Sequence, residues 1–293
     1  MSNVIIIGNG PAGVSTALYT TRAGIDTRII GKDYGALDKA SEIENYYGFD
    51  EPISGRDLIS KGIEGARRLG AEIVSDEVLG ITYDNKFTVV TKNESYEADS
   101  VVLATGTSRS APKIKGLKEY EGHGVSYCAV CDAFFYRGKD VTVLGNGYYA
   151  LHEALELLST SNSVTILTNG KEPEFEVPNN IKINTNLIES INGTEVVEEV
   201  HFQNGEKIQA AGLFVAIGVA GSTDLAKKIG AETKNNKIIT DETMSTNIPG
   251  LYAAGDCTGG LLQISKAVYE GAKAGTEIIK YLRTIPHVPK SII

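Results

Sequence analysis

The chain has 293 residues, enough for a large core and better suited to two domains than one. It carries 28 basic against 37 acidic side chains, a formal net charge of −9, which argues against non-specific binding of nucleic acid. No apolar run approaches the length of a membrane span, and VIIIG directly after MSN lacks the basic region and cleavage site of a signal peptide, so a cytoplasmic protein with no membrane partner is expected.

Taken in chain order, Val4–Ile7 is an apolar run of the kind that forms a strand buried on both faces. Gly8-x-Gly10-x-x-Gly13 follows at once, with Pro11 where a helix can begin, a helix predicted over 12–23, a stop at Gly24 and a second strand over Asp26–Ile30. In such a unit the first glycine permits the tight turn. The second lets backbone approach a pyrophosphate, and the third lets helix pack on strand. Free N–H groups at the helix start face the phosphates, so Gly8, Gly10, Pro11, Ala12 and Gly13 are the predicted cradle of a dinucleotide. The acidic residue that usually holds the ribose hydroxyls at the end of the second strand is missing. Gly31, Lys32 and Asp33 stand there, and either Asp33 substitutes or Lys32 contacts the nucleotide in another way.

VVLATG, residues 101–106, reads as a strand ending in a small close-packed turn at Ala104, Thr105 and Gly106. SYCAVCDAFFYRG then places Cys128 and Cys131 in C-x-x-C, with Asp132 adjacent as a proton donor and acceptor. Two thiols at this spacing make a disulfide that opens and closes readily. A zinc site would need a second ligand pair, and the four scattered histidines offer none. A second strand–G-x-G–helix–strand unit runs over 141–170, with Tyr148 and Tyr149 just after its second glycine. Toward the end, IPGLYAAGDC (248–257) is a strand closing on Gly255 and Asp256, a carboxylate placed to accept from a polyol such as a ribityl chain. A last helix is predicted near 262–283, begun by Gln263 and Lys266. The third cysteine, Cys257, reads as a small buried hydrophobe. One nucleotide fold nested in another predicts a discontinuous domain, 1–111 with 218–293, and an insertion at 112–217.

Gly8–Gly13, Glu44-Asn45 in EIENYYG, ATG at 104–106, GVSYCAVCD at 124–132 and GLYAAGD at 250–256 fall in the order and spacing of the low-molecular-weight thioredoxin reductases, which the chain resembles over nearly its whole length. The resemblance implies an α/β fold of two nested Rossmann-like, three-layer ββα domains of the two-dinucleotide-binding flavoprotein type. It implies FAD in the outer domain and a homodimer. It also makes Cys131 the flavin-proximal sulfur, Cys128 the thiol that attacks thioredoxin, and Asp132 the acid/base. Asn45, Gln263 and Lys266 join the glycine motifs, Lys32 and Asp256 as cofactor-binding residues. In the family the inserted domain rotates, with hinge-like glycines near 116–124 and 218–221.

Departures from the family pattern bear on the electron donor. Its G-G-Q-L is Gly35-Ala36-Leu37 preceded by Tyr34, and the H-R-R that holds the NADPH 2′-phosphate is Thr168-Asn169-Gly170. Two charge-assisted phosphate contacts at about 1.5–3 kcal/mol each are thereby lost. No acidic residue near Thr168 offers an NADH site instead, and the two tyrosines are expected to add bulk where the pyrophosphate would approach. This pattern is similar to that of the ferredoxin-dependent flavin thioredoxin reductases. An NAD(P)H-dependent enzyme, a dithiol oxidase and a flavin-binding adaptor are the alternatives, the adaptor disfavoured by intact Cys128, Cys131 and Asp132.

Overall fold

The computed structural model describes residues 2–107 and 112–284. The tail IPHVPKSII lies outside the described residues. The chain divides into two compact units, Met1–Ser108 with Gly221–Ile293, and Arg109–Ala220.

Along the chain come β1 (Asn3–Ile7), α1 (Pro11–Arg22), β2 (Asp26–Gly31), α2 (Gly55–Arg68), β3 (Glu72–Ser75), β4 (Val78–Asp84), β5 (Lys86–Thr91), β6 (Ser95–Ala98) and β7 (Ser100–Leu103). The second unit supplies β8 (Val125–Ser126), α3 (Ala129–Asp132), β9 (Asp140–Leu144), α4 (Tyr148–Leu158), β10 (Ser163–Leu167), β11 (Lys182–Asn184), β12 (Ile188–Asn192), β13 (Glu199–Phe202), β14 (Lys207–Gln209) and β15 (Gly212–Val215). The first unit then resumes with α5 (Ser222–Lys228), β16 (Thr233–Lys234), β17 (Lys237–Ile238), β18 (Leu251–Ala253) and α6 (Ile264–Thr284).

In the first unit β18-β7-β1-β2-β3 form a five-stranded parallel sheet. The antiparallel ribbon β4-β5-β6 makes a second, smaller sheet. The middle strand β1 is enclosed, with Val4 to Ile7 all at 2% exposure or less. Each such side chain contributes about 1.5–3 kcal/mol relative to exposure, which is why an uninterrupted apolar run encodes this strand. Helix α1 lies against α6 so closely that a Cβ on Gly271 would stand 2.1 Å from the Ala12 carbonyl oxygen. Thr16 secures the pair, its hydroxyl 3.0 Å from the carbonyls of both Ala12 and Gly271.

The second unit repeats the plan. Strands β11-β10-β9-β15-β8 are parallel, and β12-β13-β14 form an antiparallel sheet. Its core gathers Leu144, Leu167, Val200, Phe202 and Leu213. Both units are thus α/β, each a parallel sheet flanked by helices and a three-stranded antiparallel sheet. Among the described residues no helix is long and apolar enough to cross a membrane, and no cluster of His, Cys, Asp and Glu could hold a metal ion.

Candidate active site

In the first unit the glycine turn closes β1 onto α1. Gly8 sits at φ +112°, and a Cβ there would meet the Ala104 carbonyl oxygen at 2.4 Å. At Gly13 a Cβ would meet the Gly8 carbonyl oxygen at 1.9 Å, so any side chain would push the helix off the turn. Gly10, the N-cap of α1, has open space where its Cβ would be, and no side chain caps the helix. Pro11 opens the helix without an N–H to satisfy. An uncapped helix start beside an open glycine is a cradle for phosphate oxygens. Gly255 packs against this turn, a Cβ there lying 3.1 Å from the Ala12 methyl. The turns at Gly8–Gly13, Ala104–Gly106 and Gly255–Asp256 therefore converge at the carboxyl ends of β1, β7 and β18. Asn45 joins from its loop, donating to Gln263 at 3.1 Å just ahead of α6.

Three of the sequence-predicted residues are engaged within the protein. Thr105 bonds Ser222 through both its N–H and its hydroxyl, at 3.0 and 2.8 Å. Lys266 is tied to the Gly255 carbonyl, the Thr258 hydroxyl and the Glu270 carboxylate, each at 2.8 Å, and Glu270 accepts the Gly255 N–H at 2.8 Å. Lys266 thus braces the Gly255–Asp256 turn. Lys32 pairs with Glu77 at 2.7 Å, and Asp33 accepts the Gly35 N–H at 2.8 Å. Cys257 is enclosed, with its thiol 3.4 Å from the Leu103 and Ala254 carbonyls, and burial pushes its pKa up to about 11. Such a thiol stays protonated at neutral pH.

In the second unit Cys128 and Cys131 form a disulfide at the start of α3. The Cys131 N–H points at Cys128 Sγ, 3.2 Å away. Ser126, buried at the end of β8, links the motif's parts: its hydroxyl donates to Asp132 Oδ2 at 2.6 Å, and its oxygen accepts the Cys128 N–H at 3.1 Å. Glu153 on α4, 1% exposed, accepts the Ala129 N–H at 2.9 Å and anchors α3 from the other side. Cys128 is 4% exposed, whereas Cys131 is exposed. Tyr136 lies edge-on to Phe214, and burial, then the Asp132 charge, push its phenol upward.

The second glycine turn has the first one's backbone form but different surroundings. At Gly145 a Cβ would meet the Ala216 carbonyl oxygen at 2.1 Å, as Gly8 does with Ala104. Gly147, where a pyrophosphate would approach, has Glu174 Oε2 3.3 Å from its Cβ position. The loop is held there: the Glu174 N–H donates to the Asn146 carbonyl at 2.8 Å, and Asn146 Nδ2 donates to the Glu172 carbonyl at 3.2 Å. Tyr149 does not obstruct the turn as its position suggested. Tyr149 is 2% exposed and part of the core, because it falls on the inward face of α4, and Tyr148 meets Phe175 edge-on. Where a coenzyme's adenylate would be recognised, Thr168 donates to the Lys171 carbonyl at 2.5 Å and Asn169 accepts the Ile188 N–H at 2.8 Å. Both side chains serve the loop itself.

The pyridine nucleotide-disulphide oxidoreductase family model matches residues 2–271. A thioredoxin reductase of Listeria innocua is 34% identical over 97% of this chain and 94% of its own length. The chain belongs to the thioredoxin reductases. Two solved structures are similar to it throughout. The atypical thioredoxin reductase TRi of Desulfovibrio vulgaris Hildenborough is 43% identical with a TM-score of 0.91, covering 97% of this chain and 98% of that one. A ferredoxin-flavin thioredoxin reductase of Clostridium acetobutylicum is 31% identical with a TM-score of 0.72, over 97% and 98%.

The cofactor of this thioredoxin reductase is FAD. The first unit fits it: an uncapped helix start, an open Gly10 and three converging turns leave a phosphate cradle that no side chain of the described residues fills. Sequence reasoning missed Glu174, Ser126, Glu153 and Glu77. The run KEPEFEVP shows only that Glu172, Glu174 and Glu176 are acidic, and its return to the glycine turn has no local signature. Ser126 stands six residues before Asp132, a spacing that brings two side chains together only because β8 runs directly into α3.

Proposed function

We propose that the chain reduces thioredoxin or a thioredoxin-like protein through Cys128–Cys131, with electrons from a reduced ferredoxin and not from NAD(P)H. In this reading residues 1–108 and 221–293 hold FAD, residues 109–220 carry the disulfide on a nucleotide fold that has lost its ligand, and the working form is a cytoplasmic homodimer. The observation that carries the choice of donor is Glu174 beside Gly147. A diphosphate within about 4 Å of that carboxylate meets repulsion of about 1 kcal/mol in water and about 4 kcal/mol where solvent is partly excluded. Neither Thr168 nor Asn169 supplies a compensating charge. The Clostridium acetobutylicum relative, named for ferredoxin and flavin, supports the same reading.

The cofactor-binding set is Gly8, Gly10, Pro11, Ala12 and Gly13 for the pyrophosphate, with Ala104, Thr105, Gly106, Asn45, Gly255, Asp256 and Gln263 around it. Lys266 holds the Gly255 turn in place. FAD, when bound, supplies a carrier that takes electrons singly from an iron–sulfur donor and delivers a pair. The chain's own part begins with the reduced Cys128 and Cys131 thiols. The Cys128 thiolate attacks one sulfur of the partner's disulfide, forming a mixed disulfide and releasing the other sulfur as a thiolate. Asp132 takes the proton of the Cys131 thiol; the resulting thiolate attacks Cys128 Sγ, restoring the Cys128–Cys131 bond and expelling the remaining partner sulfur, to which Asp132 passes that proton. Because Cys128 is enclosed in the disulfide form, the first turn of α3 must open for it to reach a partner.

Anaerobic stopped-flow measurement of flavin absorbance tests the reading. Bleaching by reduced ferredoxin at catalytic rates, with none by NADPH or NADH, is the expected result. Bleaching by NADPH within milliseconds would overturn the choice of donor. Reduction by a small dithiol with oxygen uptake and no transfer to thioredoxin would make the protein an oxidase.

A further inference from the structure

In most dinucleotide folds a carboxylate at the end of the second strand holds the ribose of the adenosine half. Here β2 ends at Gly31 without one, and neither neighbour replaces it: Lys32 turns to Glu77, and Asp33 is used by the Gly35 N–H. Glu77 itself comes from the adjacent strand. Gly31 pairs with Ser75 in the β2–β3 ladder, so Lys32 and Glu77 emerge one and two residues past the paired ends. The place is next to the phosphate turn, because the side chain of Asn9, between Gly8 and Gly10, fills the space beside Gly31 at 2.7–3.0 Å from its Cβ position.

The Glu77 side chain is 4% exposed, with Oε2 paired to Lys32 at 2.7 Å. Oε1 is buried and has no hydrogen-bond partner among the described residues. Its backbone is fixed on both sides, the N–H donating to Asp76 Oδ1 at 2.7 Å and the carbonyl accepting the Lys92 N–H at 2.9 Å. A carboxylate oxygen held rigidly in a protein without a partner costs stability, and such groups in native structures call for an explanation. A salt bridge alone accounts for Oε2 and leaves Oε1 unexplained.

We propose that Glu77 is the ribose-binding carboxylate of the FAD site, supplied from β3 in place of β2. Oε1 accepts a hydrogen bond from a hydroxyl of the adenosine ribose, while Lys32 holds Oε2 and balances the charge. Lys32 is then a positioning residue and not a direct nucleotide contact. This inference rests on FAD binding to the first unit and adds the residue that recognises its adenosine half.

Flavin-stripped protein titrated with FAD and with FAD analogues lacking the 2′- or 3′-hydroxyl of the adenosine ribose provides the test, read by quenching of flavin fluorescence. Wild type is expected to bind one of the deoxy analogues about tenfold or more weaker than FAD, the scale of a hydrogen bond to a charged group. Glu77→Gln lowers FAD affinity and shrinks that discrimination to less than about threefold, and Glu77→Asp, with its carboxylate drawn back by one methylene, shrinks it too. Lys32→Met, which releases Oε2 and unbalances the charge, weakens the discrimination without abolishing it. Wild type that binds all three flavins alike, or Glu77 variants that discriminate as wild type does, overturns the proposal. If Glu77→Gln does not fold, the aspartate variant decides. A protein that takes up no FAD at all sinks the flavin assignment of the unit along with this inference, whereas one that holds FAD but ignores the missing hydroxyls sinks only the inference.

Discussion

Glu174 grips Asn146 by main chain and side chain together, its N–H donating to the Asn146 carbonyl at 2.8 Å while its Oε1 accepts from Asn146 Nδ2 at 3.4 Å. The contact folds an acidic loop over the one glycine of the second nucleotide turn that a diphosphate needs. The turn has the first one's backbone form, as Gly145 shows, and the carboxylate beside Gly147 sets it apart from the open Gly10 of the first turn. Glu174→Ala is therefore expected to raise the affinity for NAD⁺ and NADP⁺ by roughly fivefold to tenfold, the upper part of the repulsion allowed for a solvent-exposed carboxylate. Adding Asn169→Arg on that background should favour NADP⁺ over NAD⁺ through a charge-assisted bond to the 2′-phosphate. Isothermal titration of the three proteins reads both effects. Equal affinities in wild type and Glu174→Ala would show that the carboxylate excludes nothing.

How much of this could be read before any coordinates? The strand–turn–helix at Val4–Gly13 and the family resemblance predict the nested α/β plan, because steric requirements at Gly8 and Gly13 leave few residue choices and so leave a mark in the sequence. The ends of α1 and α6 were legible to within a residue or two, α1 running Pro11–Arg22 where 12–23 was predicted and α6 Ile264–Thr284 where 262–283 was. Contacts between distant segments were not. Lys32 and Glu77 are 45 residues apart, and nothing in either neighbourhood says that they meet. The reading of Tyr149 as an obstruction failed for a related reason. Position after a glycine says where a residue begins, but the 100° step of the helix decides which face it takes, and Tyr149 turns inward.

The division of labour proposed for the two sulfurs predicts a trapping result. With Cys131 changed to serine, the mixed disulfide between Cys128 and the partner has no resolving thiol. Cys131→Ser is expected to accumulate a covalent complex with a single-cysteine thioredoxin whose remaining thiol has first been converted to its mixed disulfide with thionitrobenzoate, which the Cys128 thiolate expels, a complex visible on a non-reducing gel and lost with dithiothreitol. Cys128→Ser should form little. The opposite pattern would reverse the roles, and the exposure of Cys131 against the enclosure of Cys128 in the disulfide form makes that outcome a real alternative to exclude.

Ser126 is placed to couple Asp132, the proposed acid/base, to the disulfide motif, since one hydroxyl group donates to Asp132 and accepts from the Cys128 amide. Ser126→Ala leaves the cysteines and the carboxylate intact but frees Asp132 to swing. A fall of about tenfold in kcat for thioredoxin reduction is expected, the scale of a hydrogen bond to a charged group, with KM for thioredoxin little changed. Ser126→Thr, which keeps the hydroxyl, should recover most of the rate. A loss that appears in KM, or a threonine variant as slow as alanine, would assign Ser126 to packing instead.

Cys257 makes a prediction about stability and alkali. Burial raises its pKa from 9.0 to about 11, with the thiol among the Leu103 and Ala254 carbonyls. In the unfolded chain the same thiol ionises near its ordinary value, so between about pH 9 and 11 the native state binds more protons than the unfolded one. The sign follows: this group favours the fold fully below pH 9 and progressively less as pH rises through 11, for a total in the range of about 1–3 kcal/mol. Urea unfolding followed from pH 8 to 11 should show a decline in wild type that is shallower in Cys257→Ala, although the alanine variant starts from a lower stability because it leaves a small cavity. Iodoacetamide should modify Cys257 only under unfolding conditions. Parallel declines in the two proteins, or rapid labelling of the native thiol at pH 8, would mean that Cys257 is more accessible than its place behind β7 allows.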